Sequence, residues 1–172
     1  MRNNHPVSHN VYDFPADQTL ISVTDLKGRI TYCNASFVSV SGYAREELMG
    51  QPHNLVRHPD MPEEAFRDLW ATIESGRPWT GLVKNRRKNG DHYWVRANAT
   101  PEMTDGEITG FISIRSAPSR DEIKAAEALE REGAIVVAVA VVVDRDTGAR
   151  EIIEGAGYEY RAALGLKDLG LE

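Results

Sequence analysis

From Thr19 onward the chain alternates apolar and polar positions in short stretches, broken by glycine and asparagine. TLISVTD and RITYC each carry the two-residue period of a half-buried strand, and Leu26-Lys27-Gly28 between them predicts a hairpin turn. Asn34 follows directly and suits the N-cap of a short helix over ASFVSVS, which Gly42 ends. AREELMG is a second short helix with a glycine stop. QPHNLVRHPD, with two prolines, is irregular. Asp60 opens a longer helix: Asp60 and Glu63 have capping-box spacing, and Pro62 is tolerated in a first turn. Phe66, Leu69, Trp70 and Ile73 then recur at i, i+3, i+4 and i+7, one apolar stripe that ends before Gly76. Trp79 to Lys88 and Asp91 to Thr100 are two long strands joined by Asn89-Gly90, a strong hairpin signal. Asp105-Gly106 turns the chain into a last strand, EITGFISIR. The predicted order is β-β-α-α-α-β-β-β, closing in an antiparallel meander.

After Pro118 the pattern changes. SRDEIKAAEALERE is a charged helix, and Ala134 to Val143 reads as a strand buried on both faces, as in a parallel sheet. A turn, a helix from Ala149 to Ala156 and a short strand near Tyr158 to Leu164 complete a β/α pattern. Three parts are expected: a loose N-terminal cap over 1–17, a folded domain over 18–118, and an α/β tail over 119–172.

Composition narrows the function classes. The 172 residues carry a net charge of −6, which gives no nucleic-acid-binding surface. KNRRKNG is a hairpin end beside acidic stretches. One cysteine excludes an internal disulfide and fits a reducing compartment, here the cytoplasm. The polar N-terminus lacks the apolar run of a signal peptide, and Ala134 to Val143 falls well short of the ~20 apolar residues a spanning helix needs. His53, His58, His92, Asp60 and Asp91 match no standard zinc or facial-triad spacing, so no metal is expected.

Two segments carry more. GQPHNLVRHPDMP and PWTGLVKNRRKNGDHYWVRANATP resemble the N-terminal PAS domain of bacterial aerotaxis receptors. The resemblance, over about residues 18–117, implies an α+β PAS fold, a five-stranded antiparallel sheet flanked by short helices. It implies non-covalent FAD whose redox state sets the signal, and site residues Asn34, Arg57, His58, Asp60, Trp79, Asn85 and Tyr93. Arg57 offers a planar fork of donors for a pyrophosphate or ribose oxygen. Trp79 suits the ring's flank, and Asn85 its polar edge. In photoactive flavin PAS domains a cysteine stands where this chain has HNLVRH; Cys33 lies on the second strand, so redox sensing is expected rather than a flavin–cysteinyl photocycle. The resemblance also implies a homodimer through PAS surfaces and a downstream signalling element outside this chain. The alternative is a PAS interaction module with a solid core and no cofactor. The segment from Glu127 to Glu172 resembles the C-terminal end of orotate phosphoribosyltransferases, without that family's acidic pair and phosphate loop. It implies a structural fragment, and no enzyme activity is expected.

Overall fold

The computed structural model describes residues 4–131, 143–144 and 164–165. The chain divides into two compact units, Met1–Val139 and Ala140–Glu172.

The first unit is built on one antiparallel sheet. Its strands are β1 (Leu20–Thr24), β2 (Ile30–Cys33), β3 (Trp79–Arg86), β4 (His92–Thr104) and β5 (Glu107–Ser116), in the spatial order β2-β1-β5-β4-β3. The expected meander is present, and β1 closes onto β5 so that the two hairpins share one sheet. Between β2 and β3 lie α1 (Ala35–Ser41), α2 (Arg45–Leu48), a single 3-10 turn (His53–Val56) and α3 (Glu63–Glu74). All four cover the inner face of the sheet. The core there contains Leu20, Phe37, Val40, Leu48, Val56, Ile73, Tyr93 and Val95, each almost fully buried.

Local chemistry accounts for most boundaries. Asn34 caps α1 with its Oδ1, which accepts from the Phe37 amide at 2.9 Å and from the Ile21 amide at 3.1 Å. Its Nδ2 donates to the Thr19 carbonyl at 2.8 Å, so one side chain joins helix to sheet. Gly42 ends α1 at φ 73°, its amide donating to the Val38 carbonyl. The cap expected at Asp60 does not form. The helix starts at Glu63 with Pro62 at the N-cap position and no side-chain cap, because the Asp60 carboxylate is drawn to Lys84 Nζ at 3.0 Å. The second strand of the hairpin also runs past its expected end at Thr100, through Pro101 to Thr104, with a register shift between Glu102 and Met103.

The N-terminal residues, read as a loose cap, are tied to the β3–β4 hairpin. Ser8 and Gly90 share a backbone bond, and Tyr12 and Asn10 bracket His92 with two more. Arg86 Nε donates to the Pro6 carbonyl at 2.7 Å. On the opposite, outer face of the sheet, α4 (Arg120–Arg131) packs Ala126 and Ile123 against Leu82 and Trp94, and Arg96 pairs with Glu122. The helix that composition assigned to the tail therefore packs with the sheet, where it covers the outward indole of Trp94. In the second unit, Val143–Asp144 (β6) pairs in parallel with Leu164–Gly165 (β7), as a β/α pattern requires. The strand expected before Val143 and the helix expected over 149–156 lie outside the described residues.

Asn34→Ala removes a cap and leaves the Ile21 and Phe37 amides unanswered. We expect a loss of about 2 kcal/mol in unfolding free energy, measured by urea denaturation.

Candidate functional site

Period-two alternation decides which side chains of each strand face inward. On the inner face, Ser22 of β1, Ser113 of β5 and Ala99 of β4 lie side by side in register. Ala97, beside Gly81 on one hand and Arg115 on the other, forms the adjoining row. These are small residues where a packed core would carry Leu or Ile. They leave a cavity of about 170 Å³ between sheet and helices. One water needs roughly 10–15 Å³ on that scale, so the space is far more than a packing defect.

The cavity has distinct walls. Ser22, Thr24, Ala97, Ala99, Phe111 and Ser113 form the floor. The α3 stripe of Phe66, Leu69, Trp70 and Ile73 forms the roof, with Trp70 standing edge-on to Phe111 at 5.4 Å. Gly28 sits against the Trp70 indole, where a Cβ would lie 3.1 Å from the ring. His53, Asn54 and Arg57 make one side, while Val83, Asn85 and Arg115 close the inner end. Lys27 and Asn54 are solvent-exposed and mark the mouth.

Two of the seven residues singled out from sequence line this cavity. Arg57 and Asn85 do, and a backbone bridge joins them. Arg57 stacks its guanidinium 3.8 Å from the centre of the Phe66 ring and donates through Nη2 to the Met61 carbonyl. Its Nε is buried with no partner. Asn85 is 4% exposed, and its amide nitrogen has no partner either. A buried N–H without an acceptor costs about 1–3 kcal/mol. His58 Nε2, His92 Nδ1, Tyr93 Oη and Trp94 Nε1 are also unpartnered, but of these six groups only those of Arg57 and Asn85 belong to residues that line the cavity.

The other five stand off the cavity wall, for identifiable reasons. Segment 57–61 runs along the edge of β3, where the His58 amide donates to the Lys84 carbonyl at 3.4 Å. Alternation along it turns Arg57 inward and His58 outward. His58 instead meets His92 edge-on at 5.7 Å, and its Nδ1 accepts from the Asp60 amide at 3.2 Å. Asp60 is held by Lys84. Asn34 spends its polar groups on the α1 cap and β1. Trp79 shares the inner face but lies over Gly81, with Nε1 donating to Asp68 of α3 at 2.7 Å. Tyr93, opposite Asn85, is fully buried against Phe14.

Sequence reasoning missed Arg115, His53 and the small-residue floor. Arg115 Nη1 donates to Ser22 Oγ at 3.0 Å, and Nη2 lies 2.8 Å from His53 Nε2. Its signal was present in FISIR, where Phe111, Ser113 and Arg115 share one phase, placing a charge on the buried face.

A family profile described as the PAS fold matches residues 30–115, half of the chain. The chain belongs to the PAS fold family. This PAS domain is 56% identical over 128 residues to the N-terminal region of the aerotaxis receptor of Escherichia coli (strain K12), a match spanning 74% of this chain and 25% of the receptor. Over 102 residues the chain is also 40% identical to the orotate phosphoribosyltransferase of Mycobacterium bovis (strain BCG / Pasteur 1173P2), covering 56% of this chain and 53% of the enzyme. That stretch is longer than everything after Pro118, so it reaches back into residues of the PAS sheet. The chain thus spans a quarter and about half of these two relatives. Among solved structures, a light-oxygen-voltage domain studied with a flavin analogue superposes with a TM-score of 0.59 at 22% identity, covering 67% of this chain and 89% of that one. The likeness shows the same five-stranded antiparallel fold with flanking helices.

Burial also sets the acid response of the PAS domain. It lowers His58 to about 4, with Lys84 adding to the effect, and lowers His92. His53 falls well below its ordinary value through burial and the nearby Arg115. The unfolded chain therefore binds protons first as pH drops below roughly 6.5. Stability is complete above that pH and declines toward about 4. The urea midpoint at pH 5 is expected below that at pH 7.5. Combining His58→Gln with His92→Gln should flatten the slope and leave the His53 contribution.

Proposed function

We propose that this PAS domain holds FAD non-covalently and reports cellular redox state, as a sensory module rather than a catalyst of turnover. The observation that carries this reading is the orphaned amide of Asn85, a residue that lines a cavity with a small-residue floor and an aromatic roof. A planar ring fits between such surfaces, and its polar edge supplies the acceptor that the amide lacks. The 56% identity to an aerotaxis receptor supports the sensory role, and the receptor's name supports oxygen or energy taxis as its context. The cofactor would supply a ring that accepts and returns electrons from the cell's respiratory or redox system.

The residues divide the work. Asn85 would donate to the ring edge. Phe66, Leu69 and Trp70 exclude water from above, while Ala97 and Ala99 keep the floor flat. Arg57 would meet ribose or pyrophosphate oxygens through Nε, and Lys27 and Asn54 sit at the mouth through which a dinucleotide tail would leave. His58, Asp60, Trp79 and Tyr93 would act at one remove, holding segment 57–61, α3 and the inner face in place; Asn34 would do so through α1. Output through a homodimer or a downstream signalling element is part of the same proposal. The exposed apolar side chains Tyr32 and Ile114 on the outer face support a surface for it. The single buried cysteine fits the cytoplasm.

The cavity weighs against the reading of a PAS module with a solid core. Purified protein is expected to be yellow, and heat release followed by chromatography should identify FAD. Ala99→Leu fills the floor and should give folded, colourless protein. Asn85→Ala should weaken FAD binding about tenfold, the worth of one hydrogen bond. Wild-type protein that stays colourless after incubation with FAD sinks the proposal.

A further inference from the structure

Arg115 stands near the end of β5, in register with Leu20 and Ala97, and is 5% exposed. Burying a guanidinium is costly unless a counter-charge answers it, and the usual answer is a carboxylate. Among the described residues no carboxylate pairs with Arg115. Its partners are Ser22 Oγ at 3.0 Å and His53 Nε2 at 2.8 Å, and the Phe37 ring lies 5.4 Å away. A guanidinium has only donors, so His53 Nε2 must accept, and that imidazole is neutral. The titratable groups that face Arg115 add no negative charge. His53, on the 3-10 turn, is kept neutral by burial and by Arg115 itself, and the Tyr93 phenol on β4 is pushed upward by burial. Arg115 falls to about 10 through burial and stays protonated at neutral pH. At the inner end the wall therefore carries a fixed positive charge whose own partners, Ser22, His53 and Phe37, are all neutral.

We infer that Arg115 recognises negative charge at the inner end of this cavity, so that a ligand bearing or gaining negative charge there is held more tightly than its neutral form. The inference rests on the flavin reading and extends it: the protein favours the reduced cofactor as an anion. Two electrons, one from each of two reduced methyl viologen molecules that are thereby oxidised, and one proton from solvent convert the neutral oxidised ring into a reduced ring with one negative charge. Arg115 answers that charge, and no second proton is taken up. A neutral pocket would favour the doubly protonated ring.

The test compares wild-type protein with Arg115→Gln and Arg115→Lys. Affinities for oxidised and for dithionite-reduced FAD are measured anaerobically by fluorescence and ultrafiltration. Arg115→Gln is expected to lower the ratio of reduced to oxidised affinity by about tenfold or more, and Arg115→Lys to restore most of it. An unchanged ratio in Arg115→Gln overturns the inference. Should that variant not fold, the wild type decides. Proton uptake on reduction by reduced methyl viologen, a donor that releases no protons, is followed with a pH electrode near pH 6, where the free reduced ring holds its second proton. One proton per FAD is expected, and two protons overturn the inference. Wild-type protein that takes up no FAD in either oxidation state overturns the flavin reading and this inference together. An unchanged ratio overturns this inference alone.

Discussion

Ser22, Ser113 and Ala99 lie across three strands of the inner face, and the cavity exists because none of them reaches the helix above. A sheet packed against helices ordinarily fills the gap with large aliphatic side chains at near-crystalline density. Here that happens around the site but not at it. Val95, Leu20 and Ile73 are tightly packed, and the floor between them is left short. The stability given up at the floor is recovered in the surrounding core, so the fold tolerates a hole that a ligand can fill.

The second constraint is the edge of β3. An exposed edge strand invites unwanted pairing, and the chain covers this one with its own segment 57–61. That cover does two jobs. It buries His58 and ties Asp60 to Lys84, and by alternation it delivers Arg57 to the cavity. The N-terminal strap fastens the same region from outside. Asn4 Nδ2 donates to the carbonyls of Asn54 at 2.7 Å and Arg57 at 2.8 Å, at two residues that also line the site. The front of the chain and the 3-10 turn are thus joined directly by hydrogen bonds. The strap lacks apolar periodicity because backbone and polar bonds hold it, which is why composition alone made it look loose.

Polar groups inside the domain sort by whether they have partners. Ser22, Arg115 and His53 satisfy one another, although the positive charge among them goes unanswered. Asn85 and Arg57 each keep one donor unmatched. Such groups are expensive to retain in a purely structural interior, and three of them meet at one cavity. Elsewhere His58 Nε2, His92 Nδ1, Tyr93 Oη and Trp94 Nε1 are unpartnered as well, while other polar side chains are spent on architecture. Asn34 joins α1 to β1, Trp79 reaches Asp68, and Arg86 holds Pro6.

By itself the sequence determined the elements, since those depend on local chemistry. Asn89-Gly90 specifies a hairpin, Gly42 a left-handed stop, Asn34 a cap, and the spacing of Phe66, Leu69, Trp70 and Ile73 a helix with one apolar face. Together with the resemblance of two segments, these gave the PAS fold and pointed to Arg57 and Asn85. Tertiary structure decided which side chains share a wall, because that depends on strand register and on the phase in which each segment meets its neighbour. His58 follows Arg57 in sequence yet faces away from it, and Asp60 leaves its expected cap for a lysine on β3. Arg115 sits 30 residues from Asn85 in the chain, and no local pattern could bring the two to the same end of one cavity. The floor was hidden for the same reason: Ser22, Ala99 and Ser113 are unremarkable apart, and form a space for a ligand only when the sheet sets them side by side.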